Sequence, residues 1–96
     1  MTKYLNKFNI IVKKEYLPKN ILAFYAEINN KPYVVMNDIL HTDMHDFMFY
    51  SCLYFKENGC NVGKITIFDL KNKDFEPFMY ARKELKKNCL PKKNIV

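Results

Sequence analysis

The stretch Phe47–Phe55, FMFYSCLYF, decides how this chain folds. The acidic, histidine-bearing run HTDMHD (His41–Asp46) precedes it, and Lys56, Glu57, Asn58 and Gly59 follow. Met44, Met48, Ser51 and Phe55 fall on one stripe at helical spacing, and Phe47 and Tyr54 lie beside it. Phe49, Tyr50 and Leu53 make the remaining surface apolar too. A helix that is apolar all round is enclosed by protein on most sides, so this is the central element. Thr42 suits the N-cap, Asp43 and Asp46 suit the positive end of the dipole, and Gly59 suits the C-terminal cap. These signals predict a helix from about Asp43 to Asn58.

Upstream, ILAFYAEI (Ile21–Ile28) and PYVVMN (Pro32–Asn37) are rich in β-branched and aromatic residues and read as two strands. The intervening Asn29-Asn30-Lys31 is a tight turn, because Asn tolerates the left-handed backbone of hairpin turns. Leu22, Phe24, Ala26 and Ile28 make one plainly apolar strand face. Ile21, Ala23, Tyr25 and Glu27 make a second face that turns polar at its end. Tyr4, Leu5, Phe8 and Ile11 recur at helical spacing and predict a short amphipathic N-terminal helix, ended at the latest by Pro18.

Downstream, GKITIF (Gly63–Phe68) predicts a third short strand and KNKD (Lys71–Asp74) a polar turn. A last helix starts near Asp74 to Pro77, with Phe78, Ala81, Leu85 and Cys89 on its inner stripe and Pro91 closing it. Lys92–Val96 reads as a frayed tail. The predicted class is α+β: one small domain over residues 1–96 with its core at about 5–91, built from a short helix, a hairpin, a third strand, a buried central helix and a basic C-terminal helix.

Composition agrees with a dense core: 49% of the 96 residues are hydrophobic and 16% aromatic. No apolar run reaches the roughly 18–20 residues of a membrane span, and the N-terminus has no hydrophobic signal core, so a cytoplasmic protein without a membrane partner is expected. Cys52, Cys60 and Cys89 are widely spaced and read as reduced thiols. Together with His41 and His45 they match no structural zinc spacing. His41 and His45 read as surface residues beside Asp43 and Asp46. A Cys52–His45 nucleophile pair is two helical turns, roughly 10 Å, apart. Two Gly in the whole chain leave no Gly-rich phosphate loop.

Charge is uneven. Residues 1–20 carry five Lys against one Glu, residues 21–70 three Lys against six acids, and residues 71–96 seven Lys and Arg82 against three acids. Basic ends around an acidic middle point to a partner with a charged surface, protein or nucleic acid, beyond the plain service of solubility.

Three segments carry a resemblance. FYAEINNKPYVVMN (Phe24–Asn37) reads as an aromatic pair, a turn and an Ile-x-Val-Ile-Asn-like strand. LHTDMHDFMFYSCLYF (Leu40–Phe55) reads as Leu, a polar acidic turn, Phe, apolar residues and a core helix. YARKELKKNCLP (Tyr80–Pro91) reads as a later helix ending in an apolar pair and Pro. In this order they resemble the ImmA/IrrE family of small zinc metallopeptidases over about residues 5–91. That family binds zinc through an HExxH motif on the core helix, with two His at i and i+4 and a Glu general base. In the register the resemblance implies, Ser51 and Phe55 stand at the His positions, Cys52 at the Glu position, and Tyr80 at the third ligand, a Glu on the later helix. Ser, Phe and Tyr do not ligate zinc at such a site, and Cys52 cannot replace a carboxylate base. The resemblance therefore implies a degenerate, truncated member with no zinc, no cofactor and no catalysis, its site filled by packing.

Two functions follow as expectations. The first is a non-catalytic regulator or inhibitor encoded by a phage or mobile element. It would bind a host regulatory or defence protein with an acidic surface, as anti-CRISPR proteins bind their targets. The second is a small nucleic-acid-binding module, with Arg82, Lys83, Lys86, Lys87, Lys92 and Lys93 as the basic strip, joined by Lys71 and Lys73, and with Tyr80 or Tyr4 stacking on bases. A residual hydrolase comes third.

Overall fold

The computed structural model describes the backbone of residues 9–95 and the side chains of residues 9–87. Its strands are β1 (Ile11–Glu15), β2 (Ile21–Ile28), β3 (Lys31–Asn37) and β4 (Val62–Thr66), and its α-helices are α1 (His45–Glu57) and α2 (Glu76–Ile95). Short 3-10 helices stand at Thr42–Met44 and Ile67–Lys71. The strands form a mixed sheet in the order β1-β3-β2-β4. The β2–β3 and β2–β4 pairs are antiparallel, and β1 runs parallel to β3. The α+β architecture expected from the sequence is present.

The hairpin turns on two residues, since Ile28 pairs with Lys31. Asn29 and Asn30 take φ of 52° and 66°. Two successive positive φ values match the right-handed twist of the strands, and Asn adopts them at little cost. Gly59, at φ 73°, takes the chain out of α1 as a helix-ending glycine does.

α1 lies between the sheet and α2, packing on β2, β3 and β4 on one side and on α2 on the other. Met48, Phe49, Cys52 and Leu53 are buried beneath it with Ala23, Tyr25, Val34, Met36 and Ile65 of the sheet. That enclosure is why its sequence is apolar all round. α2 turns Phe78 and Ala81 inward, with Leu85 half-buried against the same core. Cys89 of the expected stripe has its side chain outside the described residues.

Several expectations are corrected. Ile11 belongs to β1, so the expected N-terminal helix does not reach it; Tyr4, Leu5 and Phe8 lie outside the described residues. β1 gains pairing with β3 and buries Val12 partly against the core, which outweighs its Lys-rich local sequence. Thr42 lies inside the 3-10 turn, whose N-cap is His41, and no side chain caps either that turn or α1. The third strand stops at Thr66, because the Thr66 amide donates to Asp69 Oδ2 at 2.7 Å and closes a capping box that starts Ile67–Lys71. α2 continues through Pro91 to Ile95. Inside a helix proline lacks the amide donor and crowds the carbonyl four residues back, which disfavours but does not forbid continuation, so Pro91 need not mark an end.

The strand faces also differ from the expectation. Ala23 and Tyr25 point to the core, in register with Met36 and Val34. Phe24, Ala26 and Ile28 point away from α1. A register shift between Ile21 and Ala23 lets Leu22 be buried as well. Ala23 and Tyr25 are both fully buried on that face.

Candidate functional site

Ser51, Cys52 and Phe55 sit on α1, and Tyr80 sits on the helix that packs against it. Ser51 is fully buried, and its Oγ donates to the Phe47 carbonyl at 2.8 Å, one helical turn back. Cys52 is fully buried in the core, and burial pushes its thiol well above the usual range. A thiol held protonated in apolar surroundings is inert as a nucleophile.

Phe55 is half-buried and lies on Gly63 of β4; a Cβ at Gly63 would overlap its ring at Cγ, Cδ1 and Cδ2. Gly63 stands opposite Tyr25 in the β2–β4 register, so an aromatic lid closes this end of the core. Tyr54 stacks edge-on to Phe55 and to Tyr80, with centroids 5.9 and 5.8 Å apart, and its hydroxyl donates to Glu76 Oε1. Burial, then the charges of Glu84 and Glu57, raise the Tyr80 phenol to about 12. The aromatic groups thus occupy the space between α1, α2 and β4.

His41 is exposed, with Nδ1 3.7 Å from Asp43 Oδ2. His45, expected at the surface, is only 9% exposed, and its Nε2 has no hydrogen-bond partner. α1 begins at His45 itself and not at Asp43. Among the described residues, no three His, Cys, Asp or Glu side chains converge as a metal site would need.

The expected basic patch lies on the outer side of α2. Arg82, Lys83, Lys86 and Lys87 are exposed, opposite the buried Phe78 and Ala81. Arg82 Nη2 donates to the Lys73 carbonyl at 3.2 Å, which ties the helix to the turn that follows the Ile67–Lys71 3-10 helix. Lys87 pairs with Glu84 at 3.2 Å. Lys83 and Lys86 make no ion pair among the described residues. Lys92 and Lys93 continue the helix, but their side chains lie outside the described residues.

A second surface was not anticipated. The sheet face away from α1 holds a groove of about 470 Å³ lined by Lys13, Glu15, Tyr16, Leu17, Phe24, Ile28, Tyr33 and Val35. Asn37 braces its end: its buried side chain donates to the carbonyls of Leu17, Pro18 and Ile21 and accepts from the Ile39 amide. The signal in the sequence was the plainly apolar face of Leu22, Phe24, Ala26 and Ile28, part of which the fold leaves outside the core.

No protein-family model, no curated protein and no solved structure matches this chain.

Proposed function

We propose that this chain is a non-catalytic binding protein that docks an acidic surface of another protein through the outer side of α2. The observation that carries this reading is the division of α2 into two sides. Phe78 and Ala81 are committed to the core, while Arg82, Lys83, Lys86 and Lys87 are exposed together. Charges on a rigid helix, free of the core, steer association with an oppositely charged surface and suppress wrong partners.

The interior supports the non-catalytic part of the reading. The Ser51 hydroxyl is engaged by the Phe47 carbonyl, the Cys52 thiol is held protonated by burial, and Phe55 is seated on Gly63. In the register the resemblance implies, these are the positions at which the peptidases would keep their zinc ligands and general base. The same resemblance suggests a phage or mobile-element product acting on a host regulatory or defence complex.

The test is affinity isolation of the full chain from its own cellular setting, in parallel with a variant carrying Arg82→Glu, Lys83→Glu, Lys86→Glu and Lys87→Glu. A stoichiometric, acidic protein partner retained by the natural chain and lost by the folded variant is the expected result. A partner retained equally by both removes α2 from the interface. Stoichiometric zinc in the isolated protein, with peptidase activity, overturns the non-catalytic reading.

A further inference from the structure

We propose that the face of the sheet away from α1 binds single-stranded nucleic acid, with Phe24 and Tyr33 stacking on bases and Lys13, Lys31 and Lys64 meeting phosphates. This surface is distinct from the basic side of α2 and goes beyond the docking reading. Its geometry follows from the strand register. Lys13, Val35, Phe24 and Lys64 form one row across all four strands, with a lysine at each sheet edge. Three strand spacings put those two lysines about 14 Å apart. The next row is Ile11, Tyr33, Ala26 and Val62. Phe24 and Tyr33 are therefore diagonal neighbours on adjacent antiparallel strands, about 7–8 Å apart at Cα. Lys31 stands opposite Ile28 at the hairpin end.

Three further observations favour this occupant. Lys13 Nζ lies over the Tyr33 ring, 5.7 Å from its centroid, so a cation reaches the π face of Tyr33 from the open side. Tyr16, 88% exposed at the end of β1, adds a third ring beside the groove. Charge is complementary to a polyanion: three lysines stand on this face against the single carboxylate of Glu15 in the groove wall. Aromatic rings on a sheet, flanked by cations, suit unpaired bases, whose π faces are hidden in a duplex.

The test is fluorescence anisotropy of a labelled oligothymidylate of about 12 nucleotides, and of its duplex, with the full chain. Tighter binding of the single strand is expected. Phe24→Leu and Tyr33→Leu keep apolar bulk but remove the rings; each is expected to weaken binding roughly 5- to 150-fold. Tyr33→Phe keeps the ring and is expected to retain binding. Replacing Lys13 and Lys64 by Gln is expected to flatten the salt dependence by about 0.7 for each lost phosphate contact. Circular dichroism checks that each variant is folded. Failure to bind the single strand, preference for the duplex, or binding indifferent to both ring substitutions overturns the proposal. Sedimentation as a dimer that Phe24→Leu dissolves assigns the face to a second copy of the chain, and also overturns it.

Discussion

Substituting Gly63 by Ala tests how closely α1 is fitted to the sheet. The Cβ added at Gly63 would overlap Cγ and both Cδ atoms of Phe55. These atoms lie near the root of the side chain, so the ring must swing away or β4 must move. Overpacking of this kind costs about 1–3 kcal/mol. Alanine returns roughly 0.5–1 kcal/mol over glycine in a strand, because the unfolded chain has less freedom to lose. Gly63 has no positive φ, so no backbone strain adds to the balance. The net expectation is a loss of about 1–2 kcal/mol. Phe55→Ala alone should cost roughly 2–3 kcal/mol, below the range for a fully buried Phe because the ring is half-exposed. In that background the added methyl meets empty space, and Gly63→Ala should stabilise by about 0.5–1 kcal/mol. The sign of one substitution thus reverses with the other, a coupling of about 2 kcal/mol between contacting residues. Urea unfolding of the four proteins, followed by circular dichroism, measures it. Additivity within about 0.5 kcal/mol would refute the placement of the Phe55 ring on β4.

Three other expectations use different parts of the molecule. In a Cys89→Ser background, Cys60 is exposed and Cys52 buried, so one thiol should react with a disulfide reagent in the native protein and the second only after unfolding. Tyr80 should ionise near pH 12 in the folded chain, against about 10 unfolded. Since the folded value is the higher, its contribution to stability is complete below pH 10 and lost as pH rises towards 12; the ultraviolet difference titration of the natural chain against Tyr80→Phe reads this directly. Asn37→Ala removes the side-chain donor to the carbonyls of Leu17, Pro18 and Ile21, of which Pro18 still accepts from the Ile21 amide; it should cost about 1–3 kcal/mol in urea unfolding while exposing the loop before β2 to proteolysis.

The elements legible in the sequence were those with strong, self-contained signals. FMFYSCLYF announced a helix enclosed by protein, and two adjacent Asn between β-branched runs announced a hairpin. β1 was not legible, because IVKKE has no clear alternation and its stability comes from pairing with β3, over 20 positions away. The 3-10 helix after β4 was legible in principle, from Thr66 and Asp69 at capping-box spacing, but the apolar Ile65, Ile67 and Phe68 made the stretch read as strand. Which face of β2 meets α1 was not legible: Leu22, Phe24, Ala26 and Ile28 make the more apolar face in the sequence, yet Ala23 and Tyr25 are the residues fully buried against the core. For the same reason the open sheet groove had no counterpart in the sequence reading. The basic side of α2 did, because helical spacing alone separates Arg82, Lys83, Lys86 and Lys87 from Phe78 and Ala81.

The central claim is that the outer side of α2 docks an acidic protein surface. The most direct measurement is the association rate of the isolated partner with the natural chain and with Lys83→Glu/Lys86→Glu, at low and high salt. These two lysines make no ion pair among the described residues, so their reversal should change stability by no more than about 0.5 kcal/mol each. The predicted result is an association rate lower by about tenfold or more at low salt, with the difference fading as salt rises. An unchanged association rate at low salt, in a variant that keeps its fold, would contradict the account.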